Sequence, residues 1–182
     1  MQTLVSFLRG VNMTGHNTIK MTELSDMFSN LGFKNNKTYI QSGNVIFKAA
    51  GKTSQQETER QIETEIKRRF GHTVPVMIRS VADLRLISEK NPYLVEPDFD
   101  PAKMAVIFLK ESITETQSEK MININYPPDK YQLSEKEILT FCPNGFGKTR
   151  LYTNFFESKM GVTGTARNWK TVMSLLTIAE EF

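Results

Sequence analysis

Polar donors gather at three places in this chain. Arg9, Asn12, His16 and Lys20 follow a short apolar run, Ser42 and Asn44 flank Gly43, and Arg167 and Asn168 stand near the start of the last apolar-periodic stretch. Groups that donate hydrogen bonds outnumber acceptors in these clusters, which suits phosphate, sulfate or carboxylate, with arginine supplying a planar fork. Arg167 adds a second argument. The helices read from periodicity elsewhere place Glu23, Glu57 and Asp83 near their N-termini, as the helix dipole favours, whereas the last one places a cation there, and a bound anion would offset that cost. The candidate ligand-binding set is therefore Arg9, Asn12, Lys20, Ser42, Asn44, Arg167 and Asn168, and the ligand class is a small anion such as a nucleotide or a phosphorylated metabolite. No catalytic residue emerges. The plainer reading of the same residues is turn and cap chemistry, since Gly and Asn tolerate positive φ. Glu23 and Asp26 would oppose an anion, and Arg167 would pair with a carboxylate.

Other chemistries fail on spacing. Gly145-Phe146-Gly147-Lys148-Thr149 ends like a phosphate-binding loop, but the glycine that pattern requires ahead of Gly147 is Cys142. His16 and His72, the 2 histidines, have no neighbours at metal-ligand spacing. No nucleophile elbow surrounds Ser42. No metal site, cofactor or reaction is indicated. A second functional class is RNA or single-stranded nucleic-acid binding: Phe7 and Phe47 would stack bases, with Lys67-Arg68-Arg69 and Lys148-Thr149-Arg150 as phosphate contacts. The strand around Ser42 to Phe47 lacks the basic-Gly-aromatic run of that motif. A protein-interaction module without a ligand is the third.

The elements that must position these residues come from a chain of 182 residues with 39% hydrophobic and 24% charged residues, the composition of a globular protein. A net charge of +3 permits an anionic partner without demanding one. The 1 cysteine, Cys142, excludes an internal disulfide and suits a reducing compartment. Leu4 to Leu8 is too short for a signal-peptide core, and no run approaches the roughly 20 apolar residues of a membrane span. The expectation is a soluble cytoplasmic protein with no membrane segment.

Leu4 to Leu8 reads as a strand, residues 10–20 as a polar loop, and Thr22 as the cap of a helix bearing Leu24, Met27, Phe28 and Leu31. A hairpin follows, Thr38 to Ile40 and Val45 to Phe47 around a Ser42-Gly43-Asn44 turn. Ser54 and Glu57 form a capping box for a helix through Ile62, Ile66 and Phe70, then come a strand from Val74 to Ile78 and a helix opened by Ser80. Residues 91–101 carry 3 of the 7 prolines and read as a linker. Behind it the order recurs: strand 104–109, helix around 113–122, strands 131–133 and 138–141, helix around 151–156, and a last helix from Ala166 to about Glu180 whose Trp169, Val172, Met173, Leu176 and Ala179 form an apolar stripe. The fold class expected is α+β: two ferredoxin-like halves of βαββα type with antiparallel sheets and a C-terminal helix, residues 1–90 and 103–182 joined by 91–102. The halves match in element order, and no residue-level repeat is visible.

Three blocks carry a resemblance: Phe7-Leu8-Arg9-Gly10-Val11-Asn12 with Lys20-Met21, then Thr38 to Phe47, and Thr165 to Val172. In them the chain resembles the bacterial domain-of-unknown-function family 1697 over nearly its whole length. The resemblance implies a cytoplasmic two-part α+β fold with ferredoxin-like halves, and no activity. Met13-Thr14 stands where relatives often carry Gly-Gly. The blocks coincide with both candidate anion sites, and a loop, a turn and a helix start are more easily linked by a shared surface than by packing.

Overall fold

Residue alternation in the first strand sets the layers. The structure, a computed structural model, describes residues 1–182 apart from Thr14 and Lys52. Thr14 belongs to the polar loop read above, so that point of the loop lies outside the described residues. The chain divides into two compact units, residues 1–87 with 174–182 and residues 88–173.

In the first unit the order is β1 (Gln2–Leu8), α1 (Met21–Asn30), β2 (Lys34–Tyr39), β3 (Asn44–Ala49), α2 (Gln55–Phe70), β4 (Val76–Ser80) and α3 (Val81–Glu89), whose last two residues fall beyond the unit boundary. The four strands form an antiparallel sheet in the order β2-β3-β1-β4. Side chains alternate across a strand, so Leu4 and Leu8 share one face with Val45, Phe47, Val76 and Ile78. These pack against Leu24, Met27 and Phe28 of α1 and Ile62 and Ile66 of α2 as one core. Phe28, Phe33 and Phe47 form a cluster with centroids 4.6 to 5.6 Å apart. Each such residue contributes about 1.5–3 kcal/mol when fully buried. The opposite face, with Val5, Phe7, Ile46, Met77 and Arg79, is buried too.

The helices begin and end for local reasons. Ser54 and Glu57 make the expected capping box, and Gly71 at φ 75° ends α2 while Lys67 Nζ bonds its carbonyl. α1 starts one residue earlier than its expected cap, with Lys20 rather than Thr22 at the N-cap and no side-chain bond there. β4 runs two residues later than the Val74-to-Ile78 reading, because its register is set by pairing with β1 rather than by its first apolar residue.

That register turns the N–H groups of Val76, Ile78 and Ser80 away from β1, and a carboxylate accepts from each: Glu63 at 2.8 Å, Glu59 at 2.8 Å and Asp83 at 2.8 Å. The outer edge of the sheet is thus sealed by α2 and α3.

The second unit repeats the plan. After single 3-10 turns at Pro92–Val95 and Pro101–Lys103 come β5 (Met104–Leu109), α4 (Glu115–Glu119), β6 (Lys130–Leu133), β7 (Glu137–Phe141), α5 (Thr153–Met160), β8 (Gly164–Asn168) and α6 (Trp169–Glu180), with α6 passing the unit boundary after Met173. The sheet order is β6-β7-β5-β8, again antiparallel. Ile107, Leu109, Ile138 and Cys142 meet Met121, Phe156 and Met160 in its core. The strand β8 was missed by the sequence reading: Gly164 to Asn168 pairs with β5, and the last helix begins at Trp169 instead of Ala166.

Replacing Glu59 by Ala leaves the buried Ile78 N–H without its acceptor. The expected loss is about 1–3 kcal/mol of unfolding free energy, read from urea denaturation followed by circular dichroism.

Candidate functional site

At the end of β1 two consecutive N–H groups point to opposite sides. Leu8 N–H donates to Gly43 O and Arg9 N–H to Pro75 O, both at 2.9 Å, so the loop that begins at Arg9 leaves the sheet between the β2–β3 turn and the start of β4. The loop is then closed on itself by Asn12, at φ 55°. The Asn12 amide donates to Ile19 O at 2.9 Å and Gln41 O at 3.0 Å, and its oxygen accepts from Ile19 N–H at 2.8 Å. Val11 and Ile19 are buried beside it. The Asn12 side chain thus ties the loop that carries Arg9 to Ile19, next to Lys20, and to Gln41, next to Ser42.

The roles within that set differ. Asn12 spends its side chain on the backbone. Asn44 is buried and donates to Tyr39 O at 3.2 Å and Ser42 Oγ at 2.9 Å, which holds the turn in shape. Lys20 is exposed, and Arg9 and Ser42 are half-buried at the surface of the loop and turn. The turn itself is not the one expected: Asn44 is the first residue of β3, and the left-handed positions are Ile40 at φ 51° and Gly43 at φ 70°. Gly43 is required twice over. A Cβ there would lie 2.4 Å from Val11 Cγ2 and 2.8 Å from Leu8 Cβ.

Arg167 and Asn168 stand elsewhere. Both belong to β8, so Arg167 is not in the first turn of a helix, and the dipole argument for an anion beside it falls away. Strand pairing with Val106 decides its place. Arg167 Nη1 donates to Thr165 Oγ1 and to Ala166 O, both at 2.8 Å. Burial pulls its guanidinium down to about 10. Asn168 caps α6 by accepting from Thr171 N–H at 2.8 Å.

The registers expose a repeat that the sequence reading did not find. Val5 and Phe7 in β1 pair across β4 with Arg79 and Met77; Val106 and Phe108 in β5 pair across β8 with Arg167 and Thr165. Arg79 and Arg167 are each the fourth residue of an edge strand, each is buried, and each donates from Nη1 to the carbonyl of the preceding residue at 2.8 Å. Each is followed by a polar cap, Ser80 or Asn168, that accepts from the N–H three residues on. Arg79 is the residue the sequence reading passed over. The signal was an Arg, a capping residue and an apolar-periodic helix in both halves, masked by starting the last helix at Ala166.

The alternative of base stacking loses its platform. Phe47 lies in the core between Phe28 and Phe33, and neither Phe47 nor Phe7 has exposed surface. The basic runs have local duties: Lys67 bonds the α2 terminus, Arg68 forms an ion pair with Glu65 at 2.6 Å, and Arg150 lies over the Tyr126 ring at 5.5 Å. Cys142 is buried, which pushes its thiol up, and Thr149 Oγ1 lies 3.4 Å from it. Among the described residues no helix is long and apolar enough to cross a membrane.

The family model described as "Protein of unknown function (DUF1697)" matches residues 1–139. The chain belongs to this family. The matched part contains the whole Arg9–Asn44 loop and turn and ends before α5, β8 and Arg167. The structure of conserved bacterial protein SP0830 from Streptococcus pneumoniae is similar, with a TM-score of 0.77 over 98% of each chain at 21% identity. At that identity the likeness speaks for the fold alone. No curated protein matches the chain.

Gly43→Ala is expected to destabilise the first unit by about 1–3 kcal/mol through overpacking against Val11 and Leu8. Arg167→Lys, which keeps the charge but loses the fork, should cost the second a similar amount. Thermal unfolding of both variants checks this.

Proposed function

We propose that this family member binds a small anionic ligand, a nucleotide or a phosphorylated metabolite, at the loop and turn of its first unit. Arg9 and Lys20 supply the charge and Ser42 a hydroxyl, while Asn12 and Asn44 are the frame that holds those segments. The observation that carries the reading is the Asn12 side chain. Its three bonds to Ile19 and Gln41 fasten a polar loop to a polar turn. Such pre-ordering lowers the entropy a ligand must supply. The first turn of α1, which begins directly after Lys20, has no side-chain cap on its N–H groups. Glu23, in that turn, is the acidic group that would oppose an anion there.

In this reading each unit is ferredoxin-like, supported by the strand order β2-β3-β1-β4 and its repetition as β6-β7-β5-β8. The bacterial cytoplasm, where phosphorylated metabolites are plentiful, is the compartment it implies.

A thermal-shift panel with sulfate, nucleotides and sugar phosphates tests it. An anion at about 100 times its dissociation constant adds roughly 2.7 kcal/mol of stability. We expect one class to raise the midpoint in the native protein, and Arg9→Ala and Lys20→Ala each to abolish the rise relative to the same variant without ligand. A panel with no shift, or shifts unchanged in both variants, removes the reading.

A further inference from the structure

The four sheet edges are treated unequally. β4 gives its outward N–H groups to Glu59, Glu63 and Asp83. On β8 the N–H of Gly164 donates to Glu157 of α5 at 3.0 Å. β2 is blunted by a register shift between Lys34 and Lys37 and by Asn35 at φ 49°. β6 has no such cover. Ser134 N–H donates to Glu137 O at 2.8 Å, which makes Gln132–Leu139 and Lys130–Phe141 the bonded pairs with β7. The N–H and C=O of Tyr131 and Leu133 then turn outward, and no other group among the described residues bonds to their N–H.

A cavity of about 580 Å³ lies along that edge. Its lining comes from both faces of the strand: Tyr131, Leu133 and Met121 on the helix side, Tyr93 and Lys130 on the other. Ile122 stands at its rim, 75% exposed. Lysine usually guards an edge strand, but Lys130 Nζ is held by both carboxylate oxygens of Glu96 at 2.8 Å. Asp129, at the start of the strand, has no ion-pair partner among the described residues. The edge therefore offers unused backbone groups, a cavity with an apolar wall of Met121, Ile122, Ile124 and Leu133, and one unbalanced negative charge.

We propose that β6 is a docking edge for an extended peptide segment with alternating apolar and basic residues. The peptide backbone extends the sheet by bonding the outward groups of Tyr131 and Leu133. An apolar side chain enters the cavity beside Ile122, and a basic one meets Asp129. This is strand addition, in which main-chain bonds supply affinity and pockets for alternate side chains supply selectivity. A small cationic amphiphile would use the cavity and Asp129 without the strand edge, so the backbone bonds discriminate the two.

The test is fluorescence anisotropy of the full chain with a labelled octapeptide alternating valine and lysine. Parallel titrations use the same peptide N-methylated at alternate amides, its glutamate-for-lysine counterpart, and phenethylamine as competitor. Expected are saturable binding of the first peptide, loss of binding for the N-methylated and acidic ones, and no competition by the amine. Ile122→Asp, at an exposed position that leaves folding intact, should weaken binding by about tenfold or more. Asp129→Asn should weaken it by about fivefold. Equal binding of the N-methylated peptide, displacement by phenethylamine, or no saturation by 1 mM peptide, a concentration on the order of the weakest specific affinities, overturns the proposal.

Discussion

Two consecutive N–H groups at the end of each central strand govern the rest of the structure. In β1, Leu8 and Arg9 reach Gly43 and Pro75; in β5, Leu109 and Lys110 reach Lys136 and Thr163, at 2.8 and 2.9 Å. Successive backbone groups of a strand point to opposite sides, so these bonds hold the hairpin on one flank and the edge strand on the other in a single register. A slip by one residue would move Leu4 and Leu8 out of the helix-facing core and bring Val5 and Phe7 into it. It would also break the alignment that brings Glu59 and Glu63 to β4. The loop after the first strand leaves the sheet at the same point in both units, which is why the candidate anion site sits where it does.

Burying two arginines is the costliest consequence of this arrangement. A guanidinium taken from water loses hydration that only well-aligned acceptors return. Nη1 of each is turned back onto its own strand, on the carbonyl of the preceding residue, and in Arg167 also on Thr165. Lysine, a point charge on a flexible stem, has no geometry for that. The same register position, the same self-contact and the same following cap in both units make these arginines part of the frame.

Much of the fold was legible. The periodicity of Leu24, Met27 and Phe28, the capping box at Ser54 and Glu57, and the alternation in β1 are local signals, and each element stands where such signals placed it to within a few residues. β8 was not legible. Thr165-Ala166-Arg167-Asn168 has no strong strand signal and runs directly into a helical stripe, so periodicity absorbed it into the helix. Only pairing with β5 makes it a strand. The turn was misjudged for a related reason: Asn44 and Gly43 both suit positive φ in isolation, but packing of Gly43 against Leu8 and Val11 assigns that conformation to Gly43 and leaves Asn44 to start β3.

By itself the sequence determined the elements whose causes are local, the α+β class, and the candidate donors near Arg9 and Ser42. Helix caps, apolar periods and turn residues act over a few positions and can be read there. The tertiary structure alone decided that Asn12 closes the loop, that Arg79 and Arg167 are equivalent, and that the outward groups of β6 have no cover among the described residues. Those facts depend on which residues face one another across a sheet, and register is a property of the paired strands that no single stretch of chain contains.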